Sequence, residues 1–336
     1  MTPATPLLEV RGLTKTFHVR SGLFSREQHA VQAVDHVSFD VYPGETLGLV
    51  GESGCGKTTT GRMIMRLIQP TSGEMIYNEG STSTDLGRLW GDALRKFRSH
   101  IQMVFQDPYS SLNPRMPVFD LIAEPLRALQ PELSGREVRD RVEWIAGATG
   151  LQREHLARYP HAFSGGQRQR ICIARALVIK PRLLVCDEPV SALDVSVRAQ
   201  IINLLKDLQQ EFGLTYIFIA HDLAVVENIS TRVAVMYAGR IVETAATAEL
   251  YARPGHPYTR ALLQAVPRPD PLHRTDLAPL PGEMAEASNL PSGCAFHPRC
   301  ALRIPVCESE IPPLAEHEPG RHVACHRAEE LLRYQA

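Results

Sequence analysis

The eight-residue stretch at 51–58, with the sequence GESGCGKT, constrains the fold more than any other part of the chain. It follows a predicted short buried strand at 45–50 and precedes a predicted helix at 57–68, which Pro70 ends. Glycines let backbone N–H groups converge on phosphate oxygens, and the start of a helix favours their negative charge. The order strand, loop, helix therefore predicts a phosphate-binding loop (P-loop). In such a loop Lys57 reaches the β and γ phosphates, and Thr58 offers its hydroxyl to Mg²⁺.

Predicted strands alternate with predicted helices along much of the chain. An apolar run at 101–105 and the mostly apolar segments at 182–187 and 215–220 indicate buried strands, and a helix at about 196–212 separates the last two. The pattern from about 117 to 162 is helical, without a strong strand, and suggests a helical insertion. The alternation predicts an α/β fold with a largely parallel sheet and with nucleotide at the carboxyl ends of its strands.

Polar side chains stand where these strands end. Asp187 can hold Mg²⁺ through its water shell, and Glu188 is placed to orient or deprotonate an attacking water. Gln106 can complete the Mg²⁺ and water shell, and His221 can hydrogen-bond the γ phosphate. Alone, these would be a solvated strand end, a loop amide and a surface histidine. The P-loop in the same chain favours the catalytic interpretation.

Composition narrows the class of protein further. A chain of 336 residues suits one large domain with an appendage, or two domains. Thirty-six basic and 37 acidic residues leave a formal net charge of -1. This balance does not indicate a surface that is positively charged overall, as electrostatic binding of nucleic acid would require. The longest apolar stretches are strand-sized, and the N-terminus has no basic start followed by an apolar run. We expect a cytosolic chain with no membrane span of its own.

A Ser-Gly-Gly-Gln turn at 164–167 precedes the strand that ends in Asp187 and Glu188. With the P-loop, Gln106, the segment Ser-Ala-Leu-Asp at 191–194 and His221, it makes residues 7 to 250 resemble the nucleotide-binding subunit of an ABC transporter. The resemblance implies a P-loop NTPase of ABC type, in which a RecA-like core carries an antiparallel β subdomain and a helical subdomain. We expect that nucleotide-binding domain to span 1–255, with its helical subdomain at about 107–170.

The same resemblance assigns roles to individual residues. It implies that ATP is bound by Phe17, Gly51, Glu52, Ser53, Gly54, Cys55, Gly56, Lys57, Thr58 and Thr59, with Phe17 stacking on adenine. It implies contact with the γ phosphate of a partner subunit's ATP by Ser164, Gly165, Gly166 and Gln167, and places Asp194 at the dimer seam. Mg²⁺ is expected on Thr58, Gln106 and Asp187, and catalysis on Glu188, His221 and Gln106.

Finer markers narrow the family. The stretch at 105–115, an insertion around Arg20 to His29, and the segment at 256–263 resemble the ATPases of dipeptide and oligopeptide importers, above all the second ATPase subunit of the dipeptide importer. The resemblance implies an ATPase at the cytoplasmic face of the inner membrane, paired with a second, related ATPase. It also implies two permease subunits, an external solute-binding protein and no nucleic acid. Glutathione, nickel chelates or other solutes remain open as cargo, as do a soluble ABC ATPase and a redox-regulated interaction subunit.

The last part of the chain has a different composition. Nine prolines fall among residues 251–298, which predicts an extended, loop-rich C-terminal domain at 256–336. Cys294, Cys300, Cys307 and Cys325 are separated by five, six and 17 residues, which matches neither a zinc ribbon nor a common ferredoxin run. The spacing leaves free thiols, a zinc site or an iron–sulfur cluster open. The resemblance of residues 293–300 to the tail of peptide-importer ATPases implies a four-iron four-sulfur cluster on these cysteines.

Overall fold

The computed structural model describes residues 5–20, 28–265, 285 and 288–333. Residues 21–27, within the insertion around Arg20 to His29 that resembles peptide-importer ATPases, lie outside the described residues. The chain divides into two compact units. The first unit contains Tyr42–Glu45 and Arg88–Ile219, and the second contains Thr5–Val41, Thr46–Gly87 and Ala220–Ala336.

The first unit is built from parallel strands and helices. In chain order its elements are α2 (Gly91–Phe97), β6 (Ile101–Val104), α3 (Val118–Leu129), α4 (Gly135–Ala148), α5 (Gly165–Leu177), β7 (Leu183–Asp187), α6 (Val195–Phe212) and β8 (Thr215–Ala220).

The order β6, β7, β8 forms a parallel sheet, with Val104 opposite Cys186 and Asp187 opposite Ile219. Both β7 and β8 are buried along their whole length, as expected for strands covered on two faces. Helix α6 buries Ile201, Leu205 and Leu208 on one face and ends at Gly213, whose φ of 62° is left-handed. These strands and this helix confirm the predicted elements.

The predicted helical region is also observed in the first unit. Helix α3 buries an apolar face, and α4 begins with a capping box in which Ser134 and Glu137 satisfy each other's backbone N–H groups. Trp144 on α4 packs against Phe212 on α6, with ring centroids 5.1 Å apart. The fold class inferred from the sequence is thereby confirmed for this unit.

The second unit contains two sheets and short helices. Its strands are β1 (Leu8–Arg20), β2 (Gln28–Val41), β3 (Thr46–Val50), β4 (Ser72–Glu79), β5 (Thr82–Asp85), β9 (Arg232–Tyr237), β10 (Arg240–Ala246), β11 (Ala315–Glu318) and β12 (Arg321–Val323). Its helices are α1 (Lys57–Ile64), α7 (Leu223–Ile229), α8 (Thr247–Ala252), α9 (Pro257–Gln264), α10 (Val306–Ser309) and α11 (Ala328–Arg333).

The order β2-β1-β4-β5 is antiparallel, which confirms the β subdomain that the resemblance implied. In the other sheet the order is β11-β12-β10-β9-β3, and β3 runs parallel to β9. Helix α1 ends at Ile64 rather than at the predicted residue 68. Arg66 adopts a left-handed φ of 53°, so the chain leaves the helix before Pro70 can end it.

The C-terminal segment, by which we mean the described residues from 256 onwards, adds strands to the sheet that contains β3 and does not consist of loops alone. Strand β12 pairs with β10, and the buried ion pair between Glu243 and Arg321 joins them at 3.1 Å. Glu243 also accepts the N–H groups of Gly255 and His256 at 2.7 and 2.9 Å. One buried carboxylate thus fixes both the start of α9 and the C-terminal strand. The boundary at 255/256 between two domains stays a prediction.

We expect His256 to make the protein less stable in acid. Burial lowers the pKa of this imidazole to about 3. In the unfolded chain the imidazole is protonated below about pH 6.5, whereas in the folded chain it stays neutral until the pH approaches 3. Stability from this group is complete above pH 6.5 and falls as the pH drops toward 3. His256→Asn keeps an acceptor for the Tyr258 N–H, which His256 Nδ1 accepts at 3.0 Å, but does not titrate. Urea unfolding midpoints at pH 7 and pH 5 should differ less in this variant than in the natural chain; an equal or larger difference would contradict the assignment.

Candidate nucleotide-binding and hydrolysis site

The P-loop joins β3 to α1 in the second unit, as the sequence predicted. Gly51, Gly54 and Gly56 have positive φ values of 152°, 81° and 105°. A Cβ at Gly51 would lie 2.2 Å from the Met236 carbonyl oxygen, and one at Gly56 would lie 2.3 Å from the Ala33 carbonyl oxygen. Only glycine fits at these two positions, so neighbouring strands impose the shape of the loop.

The lysine of the P-loop lies inside it. Lys57 is 4% exposed, and its ammonium donates to the carbonyl oxygens of Gly51 at 2.7 Å and Glu52 at 2.8 Å. Burial raises the pKa of the neighbouring Cys55 thiol, which therefore stays protonated at neutral pH. The loop thus holds one positive charge among backbone dipoles, the arrangement that a polyphosphate requires.

The remaining P-loop residues differ in exposure. Ser53 and Gly54 are exposed, whereas Thr58 and Thr59 are half-buried at the start of α1. Phe17 is a half-buried residue of β1, with the Lys15 ammonium 5.0 Å from its ring centroid. Its stacking on adenine, and the Mg²⁺ role of Thr58, stay predictions.

Two predicted catalytic residues meet in the first unit. The Gln106 side-chain amide donates to Glu188 Oε2 at 2.9 Å. The Glu188 N–H is bound to the Ile219 carbonyl at 2.9 Å, and its φ of 47° is left-handed. Asp187, one residue earlier, is 1% exposed at the end of β7. Because both its side chain and its backbone N–H are hydrogen-bonded, the Glu188 carboxylate is suited to orient a water molecule or take its proton.

His221 is exposed immediately after β8. It belongs to the second unit, as does the P-loop. Its proposed contact with the γ phosphate stays a prediction.

The Ser-Gly-Gly-Gln turn forms the start of α5. Ser164 Oγ accepts the Gln167 N–H at 3.4 Å, and Gln167 Oε1 accepts the Ser164 N–H at 3.1 Å. Ser164 is exposed at this capping box, and the first turn of the helix, which carries the positive end of the helix dipole, is half-buried. A Cβ on Gly166 would lie 2.5 Å from Val197 Cγ1 on α6, so this face of the turn has no room for a side chain.

The loop after Gln106 is attached to α5 by several contacts. The Arg168 guanidinium lies 4.1 Å from the ring centroid of Tyr109. Arg175 donates to the Ser111 carbonyl at 2.6 Å, and the Ser111 hydroxyl lies 3.3 Å from Cys172 Sγ. Helix α5 and this loop therefore share a set of contacts that a shift in either would disturb.

The segment at 191–194 is held from α6. Arg198 donates to the carbonyl oxygens of Leu193 at 2.8 Å and Ser191 at 3.4 Å. Asp194 is exposed at the N-cap of α6. Arg198 could not be predicted from the sequence, because no local pattern connects it to the loop that it braces.

The four C-terminal cysteines come together around one cavity. Cys294, Cys300, Cys307 and Cys325 line it together with His256, His297 and His326. All seven cysteines of the chain are free thiols, and burial raises the pKa of Cys325 to about 12. Within the described ranges, no group of three or more His, Cys, Asp or Glu side chains is arranged to hold a metal ion. The structure therefore gives no support to the predicted zinc or iron–sulfur site beyond the shared cavity.

Two residues that lie far from the P-loop in the sequence contact it in the structure, and no sequence signal predicted these contacts. Arg299 and Glu52 form an ion pair across 247 positions of sequence, and Tyr258 accepts the Glu52 N–H. Tyr258 and Arg299 lie in segments that the sequence analysis used only as family markers. A pairing at such separation leaves no periodic signal.

Comparisons with known proteins agree with this geometry. Residues 34–191 match the family described as ABC transporter, and residues 242–307 match the C-terminal region of oligopeptide and dipeptide transporters. The oligopeptide transport ATP-binding protein AppF of Bacillus subtilis is 50% identical over 95% of this chain and 97% of its own length. The dipeptide transport ATP-binding protein DppF of Haemophilus influenzae is 48% identical over 96% of both chains. This chain belongs to the family of ABC transporter ATP-binding proteins and is an ATPase.

A solved structure gives the same result for the fold. The dimeric bacterial ABC transporter cassette MJ0796 superposes with a TM-score of 0.62 at 28% sequence identity. The match covers 71% of this chain and 98% of that one. None of the described helices is both long and apolar enough to cross a membrane.

Gly166→Ala should destabilise the protein because its new methyl group would overlap Val197, whose branched side chain is stiff. We expect the free energy of unfolding to fall by about 1 to 3 kcal/mol, the usual cost of overpacking. The double variant Gly166→Ala/Val197→Ala should recover most of that loss, measured by denaturant unfolding, with Val197→Ala as the control. A single variant as stable as the natural chain would show that α5 and α6 are not packed this closely.

Proposed function

We propose that this chain is the ATP-hydrolysing subunit of an importer that carries di- or oligopeptides across the cytoplasmic membrane. The observation that carries the proposal is the match of residues 242–307 to the oligopeptide and dipeptide transporter C-terminal region. In this chain that region accompanies a full set of ABC motifs. The names of the relatives AppF and DppF, which align over nearly the whole chain, support the same class of cargo.

In the proposed reaction the P-loop binds the triphosphate of ATP. Lys57, which already bonds two loop carbonyls, is the cation available to the β and γ phosphates. Mg²⁺ would be held by Thr58, Gln106 and Asp187 and would neutralise charge that develops on the phosphate oxygens. Hydroxyl, amide and carboxylate oxygens are ligands that suit this ion.

Glu188 is the proposed base for the attacking water. The Gln106 amide holds its carboxylate from one side, and the hydrogen bond of its N–H to Ile219 fixes its backbone. As water attacks the γ phosphorus, its proton passes to Glu188, and the bond to the ADP oxygen breaks. His221 is proposed to hydrogen-bond the γ phosphate.

The start of α5 is proposed to act on the nucleotide of a partner ATPase. The Ser164 hydroxyl and the backbone N–H groups at the start of α5 would form an anion site at a helix N-terminus. Asp194 is proposed to lie at the seam of the two subunits. Binding of two ATP molecules would then hold two subunits together, and hydrolysis would release them.

The loop after Gln106 is proposed to pass this change on to the membrane subunits. It begins at the Glu188 partner and continues into the contacts of Tyr109 and Ser111 with α5. A shift at Glu188 is therefore coupled to a loop next to the helical region, where a permease would dock. We propose a second, related ATPase, two permeases and an external binding protein as partners, with this chain on the cytoplasmic face of the inner membrane.

Glu188→Gln should remove the base and leave ATP binding intact. In the transporter copurified from membranes and placed in vesicles with its binding protein, we expect ATP hydrolysis and peptide uptake to fall together by about 10²–10⁴-fold. Binding of a fluorescent ATP analogue should persist.

Glu154→Gln, which changes an exposed glutamate of the same unit, is the matched control and should hydrolyse ATP normally. Near-normal hydrolysis in Glu188→Gln would refute the role of Glu188. Uptake of glutathione or a nickel chelate but of no peptide by the natural transporter would refute the proposed cargo. Copurification without any permease would refute the transport assignment.

We further propose that the four C-terminal cysteines bind a four-iron four-sulfur cluster. Their thiols line one cavity, which supports a shared ligand. A cluster is larger than a single ion, so its ligands stand farther apart than those of a zinc site. The described cysteines are not arranged closely enough to hold a single metal ion, and the larger cluster does not need them to be. The four cysteines all lie in the predicted C-terminal domain at 256–336, and a cluster bound to them would tie that segment together.

Protein purified without oxygen should be brown and contain about four irons per chain, as expected for a cluster on four cysteines. Cys300→Ser should lose the colour and iron, whereas Cys172→Ser, which changes a buried thiol of the first unit, should keep both. Iron analysis and visible absorption are the measurements. A colourless protein with one zinc, or with no metal, would rule out the cluster.

A further inference from the structure

The C-terminal segment makes direct contact with the P-loop in the second unit. Arg299 Nη1 donates to Glu52 Oε2 at 2.7 Å and Nη2 donates to Oε1 at 3.0 Å, a two-pronged ion pair. Tyr258 accepts the Glu52 N–H on its hydroxyl oxygen at 2.9 Å. Both the side chain and the backbone of the second P-loop residue are therefore fixed from outside the loop.

Arg299 is itself fixed. It is 7% exposed, and its guanidinium lies 5.9 Å from the ring centroid of Tyr237 and 6.0 Å from that of Phe296. The rings of Tyr237, Tyr258 and Phe296 contact one another, with centroids 4.7 to 5.4 Å apart. The ion pair with Glu52 is the first cause of a raised pKa for Arg299, which stays charged throughout the accessible pH range. A rigid cation on an aromatic platform thus faces the loop.

The contacts of Glu52 lead on to Lys57. The Glu52 carbonyl oxygen accepts a hydrogen bond from the Lys57 ammonium at 2.8 Å, while its N–H donates to Tyr258. The peptide units on both sides of Glu52 are thus set by one residue of the loop and one of the C-terminal segment. A movement of Glu52 would move the carbonyl that holds the phosphate-binding lysine.

The ion pair also neutralises the negative charge of Glu52 in the P-loop. Glu52 places a carboxylate within a loop that receives the negative phosphates of ATP. Unpaired, that carboxylate would repel the ligand, and in a partly buried site such repulsion is weakly screened. Glu52 is 29% exposed and Arg299 is 5% exposed at their side chains, so the neutralisation occurs largely out of water.

We propose that Arg299 is a positioning residue of the ATP site: the C-terminal segment sets the shape and charge of the P-loop through Glu52. The proposal depends on ATP binding by this chain, which family membership shows, and on neither the peptide cargo nor a metal. The C-terminal segment is then a working part of the ATPase, in addition to any role in recognition.

Arg299→Met tests this by removing the charge at similar volume. We expect the dissociation constant for a fluorescent ATP analogue, measured on the full chain, to rise about tenfold, the equivalent of roughly 1.4 kcal/mol. The double variant Glu52→Gln/Arg299→Met should recover most of that loss, because no carboxylate is left without its partner. Arg303→Met, the same change at an exposed arginine of the same segment, should bind ATP normally.

Arg299→Lys separates positioning from charge and from a general loss of structure. Lysine keeps the charge but cannot form the fork, so the dissociation constant should rise about threefold, between those of the natural chain and Arg299→Met. Thermal unfolding of each variant shows whether it is folded. Natural affinity in Arg299→Met, or in Arg299→Lys if the Met variant does not fold, overturns the proposal. A double variant that loses at least as much affinity as Arg299→Met also overturns it.

Discussion

Two backbone carbonyls, those of Met236 and Ala33, approach the P-loop more closely than any Cβ atom would allow. Glycine is therefore required at positions 51 and 56 by the surrounding strands as well as by nucleotide binding, because a side chain would clash with their backbone. Within the loop, the Lys57 ammonium donates to the carbonyl oxygens of Gly51 and Glu52. The loop is consequently pre-shaped by the protein, so a phosphate ligand does not have to organise it.

The parts of the fold that the sequence predicted are those with local signals. The run at 183–186 is apolar because its strand is buried on both faces, and Gly213 ends α6 where a left-handed residue is required. The Ser164 capping box needs only residues 164–167. The motifs around Gln106 and Glu188 were found as separate strand ends, and the structure joins the two side chains by a 2.9 Å hydrogen bond in the first unit.

What the sequence did not predict depends on distant partners. Strand β12 is three residues long and polar in composition, and its Arg321 pairs with Glu243 of β10 in the interior. The early end of α1 results from the backbone of Arg66, a residue with no turn preference. Arg299 carried no signal at all, since its partner lies 247 positions away. For a related reason the spacing of the four cysteines did not distinguish free thiols, a zinc site and a cluster: spacing along the chain does not fix distance in space.

The ion pair between Arg299 and Glu52 also bears on how such proteins can be recombined. The two residues belong to segments that match different families, because Glu52 lies within 34–191 and Arg299 within 242–307. A hybrid that joins the first segment of one ATPase to the second segment of another inherits the pair only if both parents carry it. Module exchange between importers would thus be limited by a single charge pair, however well the two segments fold alone.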